Sequence, residues 1–210
     1  MTLSFPLARL AVTSGLTIGL VACANGTVPP PGNDSARFDP QGSLSTVSTF
    51  AGPGAVLTSY MLRFVKPDGT MDLDTETYMA HAGYDFVAPA ESDPAKPVGA
   101  GGFAGPGVRD VTVAIWRPGQ FRRVQTGSSR HDYRHRGMER RPGEPRPGTV
   151  PVVASPTCKP RDLWATAVTK GAPPNAVAML SWTGSTGEYS FSIDNTPTRL
   201  RFDASCKVLP

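Results

Sequence analysis

Cysteine is scarce in this chain, with three among 210 residues, and charged residues make up only 18%. So low a charge content is unlike a fully disordered polypeptide. Aromatic residues, at 8%, are too few for a dense core and suit a modest one. The length allows one ordinary domain with some additional chain and excludes a large multidomain enzyme. No apolar run reaches the roughly 20 residues that a membrane-crossing helix needs. No Gly-x-Ser-x-Gly turn, phosphate-binding Gly-rich loop ending in Lys-Ser/Thr, or calcium-loop pattern occurs. Glycine and proline are plentiful instead, 22 of each, about a fifth of the chain against an average near 12%. Long uninterrupted helices are thereby excluded.

The N-terminus carries one positive charge, Arg9, and then an apolar, small-residue run from Leu10 to Ala22. That run suits the hydrophobic region of an export signal. It ends in Leu20-Val21-Ala22-Cys23, and here the sequence resembles the bacterial lipoprotein class, whose lipobox has a Leu, two small or aliphatic residues and an invariant Cys. The resemblance covers about the first 23 residues and implies nothing about the rest. It implies that Cys23 receives a diacylglyceryl group, that cleavage precedes it, and that the freed amine is also acylated, commonly with palmitate. Several acyl chains hold a protein stably at a membrane where one holds it marginally. Ala24 after the Cys, rather than Asp, implies outer-membrane sorting. With Cys23 used by lipid, Cys158 and Cys206 form an even pair in an exported protein, which reads as a disulfide.

Residues 23–54 read as a flexible tether, polar and rich in Pro, Gly, Ser and Thr. A β-rich domain then occupies 55–210. Residues 56–65 are rich in strand formers and stop at Pro67-Asp68-Gly69, a turn. Residues 71–78 alternate with period two and read as the returning strand of a hairpin. Further strands are expected at 84–87, 108–116, 121–124, 176–182, 188–193 and 198–202, with 121–124 pairing across Pro118-Gly119. The stretch 162–170 reads as a short helix or a strand. Short strands at regular spacing, separated by Gly, Pro and Asn, indicate a mostly antiparallel all-β sandwich or barrel.

Residues 117–150 interrupt this domain as a long Arg-, Pro- and Gly-rich loop. Between 117 and 146 there are nine arginines, no lysine and three acids, while the rest of the chain from Cys23 onward is net acidic. Guanidinium groups pair with phosphate and carboxylate oxygens in bidentate fashion. Arg122, Arg123, Arg130, Arg134, Arg136, Arg140 and Arg141 are therefore candidate contacts for anionic lipid, lipopolysaccharide, cell-wall polymer or an acidic protein surface. The tract has few base-stacking aromatics, so nucleic acid is not an expected partner.

Other constellations favour their plainer readings. His131 and His135 have metal-ligand spacing only on a helix, which their Arg- and Pro-rich surroundings oppose. Asp72, Asp74 and Glu76 read as a wet strand face. His81 and Asp85 suggest a base with its orienting acid, but no activated nucleophile accompanies them. The loop from Gly99 to Gly107 reads as a linker, and Trp116, Trp164 and Trp182 sit in apolar runs typical of a core. No catalytic residue, metal site or cofactor is expected.

The expectation is a lipid-anchored envelope protein with a non-catalytic binding or structural role, at the outer membrane facing the periplasm or the cell surface. The alternatives are an envelope hydrolase or carbohydrate-active protein with a dispersed site, or a sugar-binding module. The first test of the reading is Cys23→Ser, which is expected to move the protein from the membrane fraction to the soluble one on ultracentrifugation.

Overall fold

The computed structural model describes residues 27–28, 35–74, 81–92, 102–119, 121–126, 129–135 and 137–210, with the stretch 121–134 described by its backbone. The signal segment 1–22 and Cys23 lie outside these residues. The strands are β1 (Thr27–Val28), β2 (Val56–Val65), β3 (Ala82–Ala90), β4 (Gly107–Ile115), β5 (Phe121–Thr126), β6 (Ser129–Arg134), β7 (Met138–Pro142), β8 (Arg146–Pro147), β9 (Ala178–Thr183), β10 (Glu188–Ser192) and β11 (Arg199–Phe202). The helices are α1 (Leu44–Ala51) and α2 (Pro160–Thr169). The chain is mostly antiparallel β, as its period-two patterning indicates.

Nine strands form one sheet in the order β1-β7-β4-β3-β2-β9-β10-β11, with β8 also pairing β4. Every pairing is antiparallel. The topology joins two meanders on the central β2, which takes β3 on one side and β9, over a hundred residues later, on the other. β5 and β6 form a separate two-stranded ribbon.

Alternation along the strands buries one face. Its middle row runs Arg140, Val113, Tyr84, Tyr60, Trp182, Tyr189, Phe202 from β7 to β11 by direct register. Tyr60 stacks on Trp182 at 5.8 Å between ring centroids and meets Tyr84 edge-on at 6.3 Å. Helices cover this face. α1 packs Val47 and Ala51, one turn apart, near β3 and β4. α2 starts with Pro160 in its first turn, where the missing N–H costs nothing, and ends before Gly171, whose φ of 92° suits glycine. Its buried stripe of Pro160, Leu163, Trp164 and Ala167 follows helical spacing. Trp164 meets Phe191 edge-on at 5.0 Å and donates its indole N–H to the Val65 carbonyl at 3.1 Å. Each such large side chain contributes about 2–3 kcal/mol on burial.

Two hydroxyls of the row fasten flanking chain. Tyr84 donates to the Pro40 carbonyl at 3.1 Å. Tyr189 accepts from the backbone N–H groups of Thr157 and Cys158 at 2.6 and 2.9 Å. Cys158 is bonded to Cys206, with 5.6 Å between their Cα atoms, so the expected disulfide is present.

Several boundaries differ from the sequence reading. The tether expected over 23–54 is in its later part integral to the domain. Phe38 is 3% exposed and bridges Met71, and Val47 and Ala51 are fully buried. Widely spaced apolar residues in a Ser/Thr-rich stretch carry that burial, so composition alone hides it. Thr27–Val28 also joins the sheet as β1. Of the strand expected over 71–78, residues 71–74 hold a bridge at Met71 and a turn at 73–74 instead, and 75–78 lie outside the described residues. The 117–150 loop is largely strand. Pro118-Gly119 forms a turn and Pro142 and Pro147 end strands, while long arginine side chains tolerate extended backbone. β5 pairs β6 rather than β4. Of residues 162–170, for which helix and strand are both expected, 162–169 fall in α2 and Lys170 caps it.

Two measurements check this architecture. Phe38→Ala is expected to cost about 3–5 kcal/mol in urea unfolding, whereas an unchanged midpoint would return residues 35–54 to a tether. Reducing the Cys158–Cys206 bond, which closes a loop of 48 residues, is expected to cost up to about 4 kcal/mol by the same assay.

Candidate functional site

The outer face of the sheet is polar over its middle and closed at its β4–β7 end. Trp116, just past β4, lies between two imidazoles. His81 stacks on one face at 4.2 Å between centroids and His135 on the other at 3.9 Å, with interplanar angles of 14° and 10°. Register explains the assembly. Ala82 pairs Ile115 and Ile115 pairs Met138, so the residues just beyond these strand ends converge. The Trp116 N–H donates to the Gly137 carbonyl at 3.0 Å, and Gly137 takes a φ of 113° that a side chain would resist.

Behind the stack lies a buried carboxylate. Glu139 and His135 are each 2% exposed. Glu139 Oε1 is 3.0 Å from His135 Nδ1, and Oε2 accepts from Arg141 at 2.9 Å. A carboxylate only accepts hydrogen bonds, so the imidazole carries its proton on Nδ1 in this contact. Next along the face, Asp85 takes Oγ1 of Thr112 at 2.9 Å and Oγ of Ser59 at 3.0 Å.

This arrangement fixes side chains rather than presenting reactive ones. His81 and Asp85 are four residues apart on extended chain, about 13 Å along a strand, and Asp85 is held by two hydroxyls. They do not form a base-and-acid pair. His131 and His135 likewise occupy extended chain rather than one helix face. Among the described residues no group of three or more His, Cys, Asp or Glu side chains is placed to hold a metal ion. Asp72 pairs with Lys66 at 3.3 Å, Asp74 accepts from Ser35 at 2.7 Å, and Glu76 lies outside the described residues. The Gly-rich loop leads into β4, a strand, and Gly107 is required there because a Cβ would lie 2.2 Å from the Phe103 ring.

No family model, curated protein or solved structure matches this chain. All three tryptophans are buried, so none offers a ring face to a sugar. Two surface grooves among the described residues are open. One of about 440 Å³ lies between α1, the start of β2 and residues 153–156; another of about 380 Å³ is bordered by Arg63, Met179 and Asp194. Neither gathers an acid, a base and a nucleophile.

The arginines divide into groups. Arg122, Arg123, Arg130 and Arg134 hold positions on the β5–β6 ribbon, where Arg123 pairs Asp132 and Gln125 pairs Arg130; Arg136 and the side chains of the ribbon lie outside the described residues. Arg141 is over half exposed while reaching Glu139. Arg140 departs from the expectation of a solvated arginine. It occupies the inward row opposite Val113, and its Nε donates to the Ala51 carbonyl at 2.9 Å, tying α1 to β7. Burial, then the neighbouring Arg109 charge, holds its guanidinium below the ordinary arginine range. Sequence reasoning missed Glu139, whose single signal was an acid inside a basic alternating run.

Glu139→Ala leaves the buried His135 without its acceptor and is expected to cost about 1–3 kcal/mol. Glu139→Gln is expected to lose less, since an amide oxygen still accepts. Urea midpoints of the two variants check this order, and no loss for Glu139→Ala would remove the carboxylate from the structural role argued here.

Proposed function

We propose that the protein is exported, anchored by lipid at Cys23, and serves a non-catalytic binding or structural role in the bacterial cell envelope. It contacts anionic envelope components through the Arg-rich ribbon. The anchor reading is supported by Leu20-Val21-Ala22-Cys23 after a 13-residue apolar run. An oxidising compartment is in keeping with the Cys158–Cys206 bond.

The observation that carries the binding reading is the separateness of the ribbon. β5 and β6 pair with each other and outside the nine-stranded sheet, and they carry four arginines in twelve strand positions with one acid, Asp132. By register, positions 123, 130 and 134 share one side of the ribbon with 132. Phosphate and carboxylate partners suit such a ribbon through bidentate hydrogen bonding. Attraction between exposed charges falls off over about 8 Å at physiological salt.

The test uses the unlipidated Cys23→Ser protein, so that ribbon binding is read apart from the anchor. It is expected to co-sediment with vesicles rich in phosphatidylglycerol, or with purified lipopolysaccharide, at low salt and to dissociate as salt rises. Replacing Arg122, Arg123, Arg130 and Arg134 together with Ser is expected to remove most of the salt-sensitive part. Binding indifferent to both salt and the four substitutions would reject the ribbon as the contact.

A further inference from the structure

Residues 35–54 fold into the domain and Thr27–Val28 pairs with β7. The chain therefore joins the sheet only four residues after Cys23. Four residues of fully extended backbone reach about 14 Å at most. A lipid on Cys23 inserts into the bilayer at its own residue, so the β1–β7 edge can stand no farther than that from the headgroups. We infer that the domain sits edge-on against the membrane that holds its anchor, with the β1–β7 edge and its adjoining arginines meeting lipid phosphates. This placement rests on the lipid-anchor reading above and adds the surface that meets the bilayer.

The direction and chemistry of the edge agree with that seat. Thr27 pairs Glu139 and Val28 pairs Met138, so the chain before Thr27 sets out toward the Arg140–Pro142 end of β7. Four arginines converge at that end. Arg141 lies on β7 and Arg146 on β8 opposite Val108, while Arg140, on the inward row of β7, holds the Ala51 carbonyl with Arg109 of β4 nearby. Arg141 and Arg146 are each more than half exposed. Their partners Glu139 and Asp110 form ion pairs of 2.9 and 2.8 Å. Only the Arg146–Asp110 pair is exposed on both sides, and such pairs are weak, so the Arg146 guanidinium can turn to phosphate oxygens while Arg141 stays on the buried Glu139. The opposite edge, β11, is seven strand spacings away, roughly 34 Å at the usual separation.

The geometry makes a distance prediction across one molecule. The full lipidated chain is reconstituted into vesicles of phosphatidylethanolamine and phosphatidylglycerol doped with a headgroup-nitroxide lipid. A fluorescent amino acid replaces either Glu144, exposed just past β7, or Arg199, exposed on β11. Neither position lies within β1, so both variants leave the short connection intact. The probe at 144 is expected to lose most of its emission to the nitroxide, and the probe at 199 almost none. Equal quenching at both positions, or none at 144, overturns the edge-on seat. The mass of the N-terminal peptide separates the two readings. A diacylglyceryl adduct with an unquenched 144 probe rejects the seat alone, whereas an unmodified Cys23 rejects the anchor and the seat with it.

Discussion

The fold depends on an unbroken row of large side chains across the inner face of the sheet. Tyr84, Tyr60, Trp182 and Tyr189 stand side by side on four strands that the chain reaches in two separate passes, and Phe202 extends the row to β11. Register and packing enforce each other here. A one-residue slip on any strand would turn an aromatic ring to the polar face. The row also gathers the flanking chain. Tyr84 fixes the segment that leads into α1, and Tyr189 fixes the one that carries Cys158 toward α2. The central member differs, because the Tyr60 hydroxyl is buried without a hydrogen-bond partner. Burial therefore raises its pKa well above the ordinary tyrosine value, with the neighbouring Tyr189 and Tyr84 adding to the effect. Ring packing outweighs one unsatisfied hydroxyl at that position, since losing a hydrogen bond costs about 1–3 kcal/mol and the row loses far more if it is broken.

The strands were legible where both local signals agreed. Over 56–65, β-branched and aromatic residues meet a Pro-Asp-Gly stop, and β2 has those bounds. The three C-terminal strands stand within two residues of expectation for the same reason, with Gly187 and Asn195 taking the positive φ that their turns require. Where composition and packing disagree, the reading failed. Residues 35–54 look like linker because Ser, Thr and Gly dominate, yet three or four spaced apolar side chains are enough to dock them once a sheet exists to receive them. Residues 71–78 alternate correctly but follow a turn, and among the described residues 71–74 only Met71 bridges a neighbouring chain segment; alternation cannot report which partner is available. The arginine tract is the third case. Charge suggests solvent, but β7 needs only alternate inward positions, and it fills one of them with Arg140 by donating to a helix-end carbonyl.

The cluster on the outer face was hardly legible at all. His81, Trp116 and the His135–Glu139 pair come from three stretches of sequence, and no spacing links those stretches. They meet because β3, β4 and β7 end in register, so that residues just beyond three strand ends converge. The glutamate stands out only as an acid among arginines. Once placed, its chemistry is clear, since a buried carboxylate flanked by an imidazole and a guanidinium has both oxygens engaged. The cluster closes one end of a face that is otherwise polar. It also positions the two ends of the basic ribbon, which leaves the sheet after Trp116 and returns at His135.

The central place of β2 carries a consequence for the order in which the molecule is completed. β2 can pair with β3 as soon as both have been made, but its other edge waits for residues 178–183. Cys206, the second half of the covalent bond, comes later still, beyond β11. During synthesis, then, an incomplete chain holds an open row of amides and carbonyls beside its largest rings, a surface prone to pairing with other chains. Residues 178–206 both seal that edge and supply the sulphur that locks it, so a copy truncated before residue 178 loses both protections together.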